Sequence, residues 1–349
     1  MGESSMHNAR NKAIERFIKS QKKELDLDQI VSGIIDGNKQ ILAKAITLLE
    51  STHNSHIQLA SEIVHRCLPH SGKSIRIGIT GVPGVGKSTF IEALGKYLTA
   101  QNIKVAVLAI DPSSNINKGS ILGDKTRMET LSSHPLAFVR PSPSSGTLGG
   151  VANATRESVL LCEAAGFEVI IVETVGVGQS EYLVKDMVDF FLLLMLSGAG
   201  DEIQGIKRGI MEMADALFVN KADGKNEITS RKAAQAYQNA LHLFPPREDQ
   251  WIPQTGTCSA IQHEGIEQVW TIIQEFKSQQ QNNNWFYQRR QNQAKTWLMD
   301  LVGFSLNDHF YKHPKVKSAL DRITDEVISG EKTPYSGAQE LMRFYLEQS

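Results

Sequence analysis

The chain has 349 residues, which at roughly 150 per domain suits two domains or one enlarged α/β domain with appendages. Apolar residues make up 41% and charged residues 21%, and 37 basic side chains against 38 acidic ones leave a formal charge of −1, which excludes partnership with nucleic acid or an anionic membrane through bulk charge. The longest strongly apolar run, residues 190–196, is far short of the roughly 20 residues that span a bilayer.

The N-terminus, MGESSMHNARNKAIERF, lacks the apolar core of a signal peptide, so a cytoplasmic protein is expected. Up to residue 73 the pattern is helical. Leu27, Ile30, Val31 and Ile34 recur at spacings of three and four, followed by Ile41, Leu42, Ala45, Ile46 and Leu49, then Ile57, Ala60, Val64 and Cys67. His65, Cys67 and His70 form a cluster with the chemistry of a nickel or zinc site. On a helix, however, His65 and Cys67 face different ways and Cys67 continues the apolar stripe, which favours a core cysteine. Cys67, Cys162 and Cys258 are widely spaced, arguing against a disulfide framework or a thiolate zinc site.

From residue 74 short β-rich runs alternate with helical stretches: SIRIGIT, KVAVLAI, EVIIVET, FFLLLML and ALFVN. Runs this apolar predict strands of a parallel sheet buried on both faces. Directly after the first comes Gly81-Val82-Pro83-Gly84-Val85-Gly86-Lys87-Ser88, a match to G-x-x-x-x-G-K-[ST], followed by the helical TFIEALGKYL. Strand, loop and helix in that order form a phosphate cradle. The glycines let backbone N–H groups converge, the helix presents its positive dipole end, Lys87 adds a point charge and the Ser88 hydroxyl can bind Mg²⁺.

Asp111 ends the second strand and Asp124 lies in GSILGDKTR; by spacing both read as turn or helix-capping residues, with Mg²⁺ contact as the alternative. Glu173 opens Glu173-Thr174-Val175-Gly176, which looks like the D-x-x-G element with Glu for Asp: a carboxylate for Mg²⁺ and a Gly176 N–H for the γ-phosphate. Val177 stands where a water-orienting glutamine often follows, with Gln179 two positions on, so slow intrinsic hydrolysis is expected. Asn220-Lys221-Ala222-Asp223 follows the fifth strand and matches N-K-x-D. The Asp223 carboxylate can accept from guanine N1–H and its 2-amino group, whereas adenine would leave it unpaired, so GTP is selected over ATP. Ser259 and Ala260, within Cys258-Ser259-Ala260, fall where a backbone loop would face the guanine carbonyl. After the polar stretch SQQQNNN (278–284), Trp297, Leu301 and Phe304, then Val316, Leu320, Ile323 and Val327, repeat with helical period.

The strings GITGVPGVGKSTFIEALG, GSILGDKTRM, RPSPSSGTLGGVANATRE, VETVGVGQSE, SGAGDEIQGIKRGI and NKAD together resemble the methylmalonyl-CoA mutase-associated GTPases of the MeaB/ArgK type. The resemblance implies an α/β P-loop GTPase core, a mainly parallel sheet flanked by helices, over 74–278. It also implies an N-terminal helical extension over 1–73 and a C-terminal helical dimerisation arm over 279–349. Catalytic roles fall to Lys87, Glu173 and Gly176; Lys87, Ser88 and Thr89 would hold phosphates, and Ser88, Asp111, Asp124 and Glu173 the Mg²⁺ that accompanies GTP or GDP. No permanently bound cofactor is expected. Residues 198–207 resemble a third switch in which Asp201, Gln204 and Lys207 couple the partner to the nucleotide. The implied activity is slow, partner-activated GTP hydrolysis by a homodimeric chaperone that gates cofactor loading of an adenosylcobalamin-dependent acyl-CoA mutase and protects it from inactivation. The competing classes are a nickel-type metallochaperone GTPase and an ATP-using kinase or transport ATPase.

Overall fold

The computed structural model describes residues 26–51, 53–110, 128–140, 148–174, 180–198 and 208–347. The chain divides into two compact units, Met1–Gln279 and Gln280–Ser349.

Among the described residues, the first unit begins with the helices α1 (Leu27–Ile35), α2 (Lys39–Leu49) and α3 (Asn54–Cys67). Gly37, at φ +76°, turns the chain between the first two, a left-handed position that costs glycine nothing. Asn38 then caps α2, its Oδ1 accepting from Gln40 N at 3.0 Å and Ile41 N at 3.2 Å. The buried stripes Ile30, Val31, Ile34 and Leu42, Ala45, Ile46 join Val159, Cys162, Ile170 and Val172 in one core, so these helices cover one face of the sheet.

Next in order come β1 (Ile75–Gly81), α4 (Lys87–Ala100), β2 (Val105–Ile110), α5 (Glu129–Ser133), β3 (Ala137–Arg140), α6 (Leu148–Ala164), β4 (Val169–Thr174), α7 (Ser180–Lys185), β5 (Phe190–Met195), α8 (Arg208–Met213), β6 (Ala216–Val219), α9 (Glu227–Leu241), β7 (Gln254–Thr257) and α10 (Ile266–Asn282). The strands form a parallel sheet in the order β3-β2-β4-β1-β5-β6-β7. Every residue of β4 and β5 is buried, as their unbroken apolar runs require. The second face carries α4 and α10, whose Phe90, Leu94, Ile273 and Phe276 pack with Ile77, Ile79 and Phe190. β3 and β7 lie outside the five predicted strands. They are four-residue edge strands, and β7 reads Gln-Thr-Gly-Thr, so neither produces an apolar run that stands out from a loop.

β1 lies between β4 and β5, where strand order reverses, and in such sheets the crevice at the carboxyl ends receives ligands. Register brings Ile79 level with Glu173 and Gly81 level with Leu194. Thr174 Oγ1 donates to Thr80 Oγ1 at 2.8 Å, pinning the ends of β4 and β1 together.

In the second unit, α11 (Trp285–Lys312) is followed by α12 (Pro314–Ile328) and α13 (Pro334–Leu346). Val316 and Ile323 are buried in it, and Arg322 and Lys332 bridge Glu326 and Glu340 across the α12–α13 hairpin. Among the described residues no helix is long and apolar enough to cross a membrane.

All three cysteines are buried. Burial pushes the Cys67 thiol up to about 11, partly offset by Arg66, and the Cys258 thiol up to about 12; Cys162 is raised for the same reason, with Glu163 adding to it. A raised thiol pKa means that the fold favours the protonated form. That contribution is complete below the ordinary value of 9.0 and is lost as pH climbs through about 11 and 12. Native protein at pH 8 is therefore expected to leave its thiols unlabelled by a thiol reagent, with all of them reacting in urea, and its stability should fall from pH 9 upward. Fast labelling of folded protein at pH 8 would contradict this.

Candidate nucleotide site

The phosphate loop leaves β1 at Gly81, whose Cα hydrogen points at the β5 backbone; a Cβ there would collide with Leu194 O. At the other end Gly86, at φ +93°, passes under Asn220, whose Nδ2 would be 3.1 Å from a Cβ. Both positions therefore need glycine for space or backbone shape. Val85 is buried between them and anchors the loop, while Pro83, Gly84 and Thr89 are exposed and Val82 is half-buried.

Lys87 is half-buried and folds back over the loop, its Nζ donating to Gly81 O at 2.9 Å. Desolvation lowers its pKa, opposed by the carboxylates of Glu173 and Glu181. Ser88 Oγ donates to Glu173 Oε1 at 3.1 Å, so two residues 85 positions apart meet at the mouth of the loop. Glu173 itself is buried at the end of β4. A hydroxyl and a carboxylate side by side form the hard oxygen donor pair that suits Mg²⁺.

Asn220, buried at the end of β6, joins three segments. Its Nδ2 donates to Val85 O at 2.9 Å, and its Oδ1 accepts from Ala260 N at 3.2 Å and from Cys258 Sγ at 3.5 Å. Lys221 takes a left-handed backbone conformation, φ +60°, and its Cε lies 3.8 Å from where a Cβ on Gly86 would be. Ala222 N donates to Cys258 O, and Asp223 Oδ2 accepts from Ser259 Oγ at 2.6 Å. The Ser259 hydroxyl in turn accepts from Gln262 N at 3.2 Å, which fixes its rotation toward Asp223.

The structure thus brings the loop 81–88, Glu173, the tetrad 220–223 and Ser259-Ala260 to one edge of the sheet. Asp111, Asp124, Gly176, Asp201, Gln204 and Lys207 lie outside the described residues. Two neighbours of the site have no sequence signature. Cys258 follows the polar Gln-Thr-Gly-Thr of β7 and belongs to no motif that marks it as a site residue, and Glu181, wholly buried on α7, resembles the acid that the first turn of many helices carries. The His65–Cys67–His70 cluster does not converge: Cys67 is buried, whereas both imidazoles are exposed. Among the described residues no group of three or more His, Cys, Asp or Glu side chains is placed to hold a metal ion.

Comparison with known proteins agrees with this geometry. The family model described as methylmalonyl-CoA mutase-associated GTPase MeaB matches residues 42–315. A probable GTPase of Mycobacterium tuberculosis is 47% identical over 316 residues, covering 90% of this chain and 94% of that protein. The mouse mitochondrial methylmalonic aciduria type A homolog is 42% identical, covering 93% and 81% respectively. Among solved structures, one described as a LAO/AO transport system kinase superposes with a TM-score of 0.74 at 36% identity, over 93% of this chain and 98% of that one.

Proposed function

Because this chain belongs to the MeaB family of methylmalonyl-CoA mutase-associated GTPases, we propose that it is a GTP-gated chaperone of an adenosylcobalamin-dependent acyl-CoA mutase. It is a P-loop GTPase, and its relatives carry that name. The proposal concerns what the hydrolysis is for.

What supports it is the sequence after Glu173, which lacks a water-orienting glutamine directly after Gly176. Lys87, Ser88 and Glu173 assemble around the phosphate loop, yet Val177 occupies the place after Gly176 where a glutamine would orient water. Binding groups without a water-positioner make a slow hydrolase that a partner completes. Bound Mg²⁺ would neutralise phosphate charge, with Ser88 and Glu173 as its holders and Asp111 and Asp124 as further carboxylates. Lys87 leaves Gly81 O to pair with phosphate oxygens, Gly176 N–H senses the γ-phosphate, and Asp223, oriented by Ser259, reads guanine. Asp201, Gln204 and Lys207 pass the partner's presence to the nucleotide, and hydrolysis separates the states that load cofactor from those that reject it.

Turnover of GTP by the protein alone is expected below roughly 1 per second, and addition of the mutase should raise it tenfold or more, about 1.4 kcal/mol off the barrier. ATP serves as the control nucleotide. Turnover indifferent to methylmalonyl-CoA mutase and to related cobalamin-dependent acyl-CoA mutases would overturn the chaperone reading while leaving the GTPase intact.

A second copy of the chain is the proposed cover for α11, which exposes Leu298, Met299, Val302, Phe304 and Leu306. Such apolar surface on one helix marks an interaction site. Sedimentation at micromolar concentration is expected to give the dimer mass, and a monomer there would refute the assignment.

A further inference from the structure

Parallel pairing between β1 and β4 begins at Ile75–Val169, and its last registered pair is Ile79–Glu173. On their other sides both strands run further, β1 to Gly81–Leu194 with β5 and β4 to Ile110–Thr174 with β2. Backbone pairing of β1 with β4 thus ends one residue before the phosphate loop. At the next step side chains take over: Thr174 Oγ1 donates to Thr80 Oγ1 at 2.8 Å, and both threonines are buried. Threonine is stiff at χ1, so a bond between two of them fixes the strands along with the hydroxyls. Side chains alternate across a strand. Ile170 and Val172, in phase with Thr174, belong to the core that α1 and α2 cover. Ile171, in phase with Glu173, packs with Phe90 and Leu94 of α4. The hydroxyl pair therefore lies on one face of the sheet and Glu173 on the other, toward α4, where Ser88 Oγ donates to its Oε1 at 3.1 Å.

We propose that Thr80 and Thr174 are positioning residues for the Mg²⁺ that accompanies the nucleotide: their hydroxyl pair clamps β1 to β4 where backbone pairing stops, and so holds Glu173 against Ser88. This rests on the reading of the loop 81–88 as a nucleotide site, and it does not depend on the identity of the partner. The physical cause is that the two oxygen donors arrive on different strands. Ser88 is carried by β1 through the loop, and Glu173 ends β4. Their separation is therefore set by how the ends of β1 and β4 lie against each other. Mg²⁺ tolerates little departure from octahedral geometry, and groups that orient the holders of a metal act on its affinity without touching it. Both threonines act through Glu173, from the opposite face of the sheet. The base is read from the ends of β6 and β7, which the pair does not join.

The test is a Mg²⁺ titration of the full chain binding a fluorescent non-hydrolysable GTP analogue, with GDP binding in EDTA measured beside it. Thr174→Val keeps the shape of the side chain and removes the donor. It is expected to raise the Mg²⁺ concentration at half-saturation at least about tenfold, while GDP affinity in EDTA stays unchanged. Thr174→Ser retains the hydroxyl and should keep the wild-type value. Because Thr174→Val strands the buried Thr80 hydroxyl, the double variant Thr80→Val with Thr174→Val, which leaves no hydroxyl at this step, serves as the second probe and should show the same shift. A Mg²⁺ requirement unchanged in both valine variants would overturn the proposal, whatever happens to the melting temperature, since the pair would then be structural only. Loss of Mg²⁺ response in Thr174→Ser equal to that in Thr174→Val would overturn it too. Failure of the nucleotide-site reading is distinguishable, because the wild type would then bind neither GDP nor the analogue at any Mg²⁺ concentration.

Discussion

Lys87→Ala is expected to lower kcat/KM for GTP by about 100-fold or more while leaving the melting temperature unchanged or slightly raised. The two effects diverge for one reason. In the nucleotide-free protein Lys87 satisfies a single carbonyl, Gly81 O, and burial disfavours its charge. Removing a partly desolvated ammonium costs the empty fold little, because the nearby Glu173 still accepts from Ser88. With nucleotide bound, the same ammonium faces phosphate oxygens whose charge no other described side chain in the loop can balance. Loss of stability without loss of turnover would make Lys87 structural. Steady-state kinetics and calorimetry on one preparation decide it.

Asp223→Asn should reverse the choice of base, with GTP affinity falling on the order of 10³-fold and xanthosine triphosphate becoming the preferred ligand. The geometry explains why so small a change acts so strongly. Ser259 Oγ donates to Asp223 Oδ2 at 2.6 Å. In the variant it continues to donate to the amide oxygen and so turns the new NH₂ toward the base. Guanine presents donors there, and a donor facing donors in a site backed by buried Ser259 and Ala260 is left unpaired. Xanthine presents an oxygen at the corresponding position. A competition titration with both triphosphates is the measurement, and an unchanged preference for GTP would remove Asp223 from base reading.

How much of the site could be read in the sequence depends on how local each part is. The loop 81–88 is legible because its chemistry is contiguous, with strand, glycines, lysine, hydroxyl and helix following one another. The tetrad 220–223 is legible for the same reason. Ser259-Ala260 is almost mute as a tripeptide, and acquires meaning only when Ala260 N meets Asn220 Oδ1 and Ser259 meets Asp223. Glu181 shows the opposite failure. Its identity and helix position are visible, but an acid in a first turn has an ordinary explanation, and only its burial near Lys87 sets it apart.

The strands divide likewise. Five announce themselves through apolar runs that need burial on both faces, whereas β3 and β7 are short edge strands defined by a neighbour's hydrogen bonds rather than by their own composition. By itself the sequence determined the motifs at 81–88 and 220–223, the parallel α/β class and the family, because each is carried by consecutive residues or by an apolar period. The tertiary structure alone decided that Ser88 meets Glu173 across 85 positions, that Asn220 ties to Val85 across 135, and that Tyr182 rests on Gly209. These contacts depend on the strand order β4-β1-β5-β6, which gathers the carboxyl ends at one edge. Strands of equal hydrophobicity are interchangeable to any local reading, and their order follows only from how the whole chain packs.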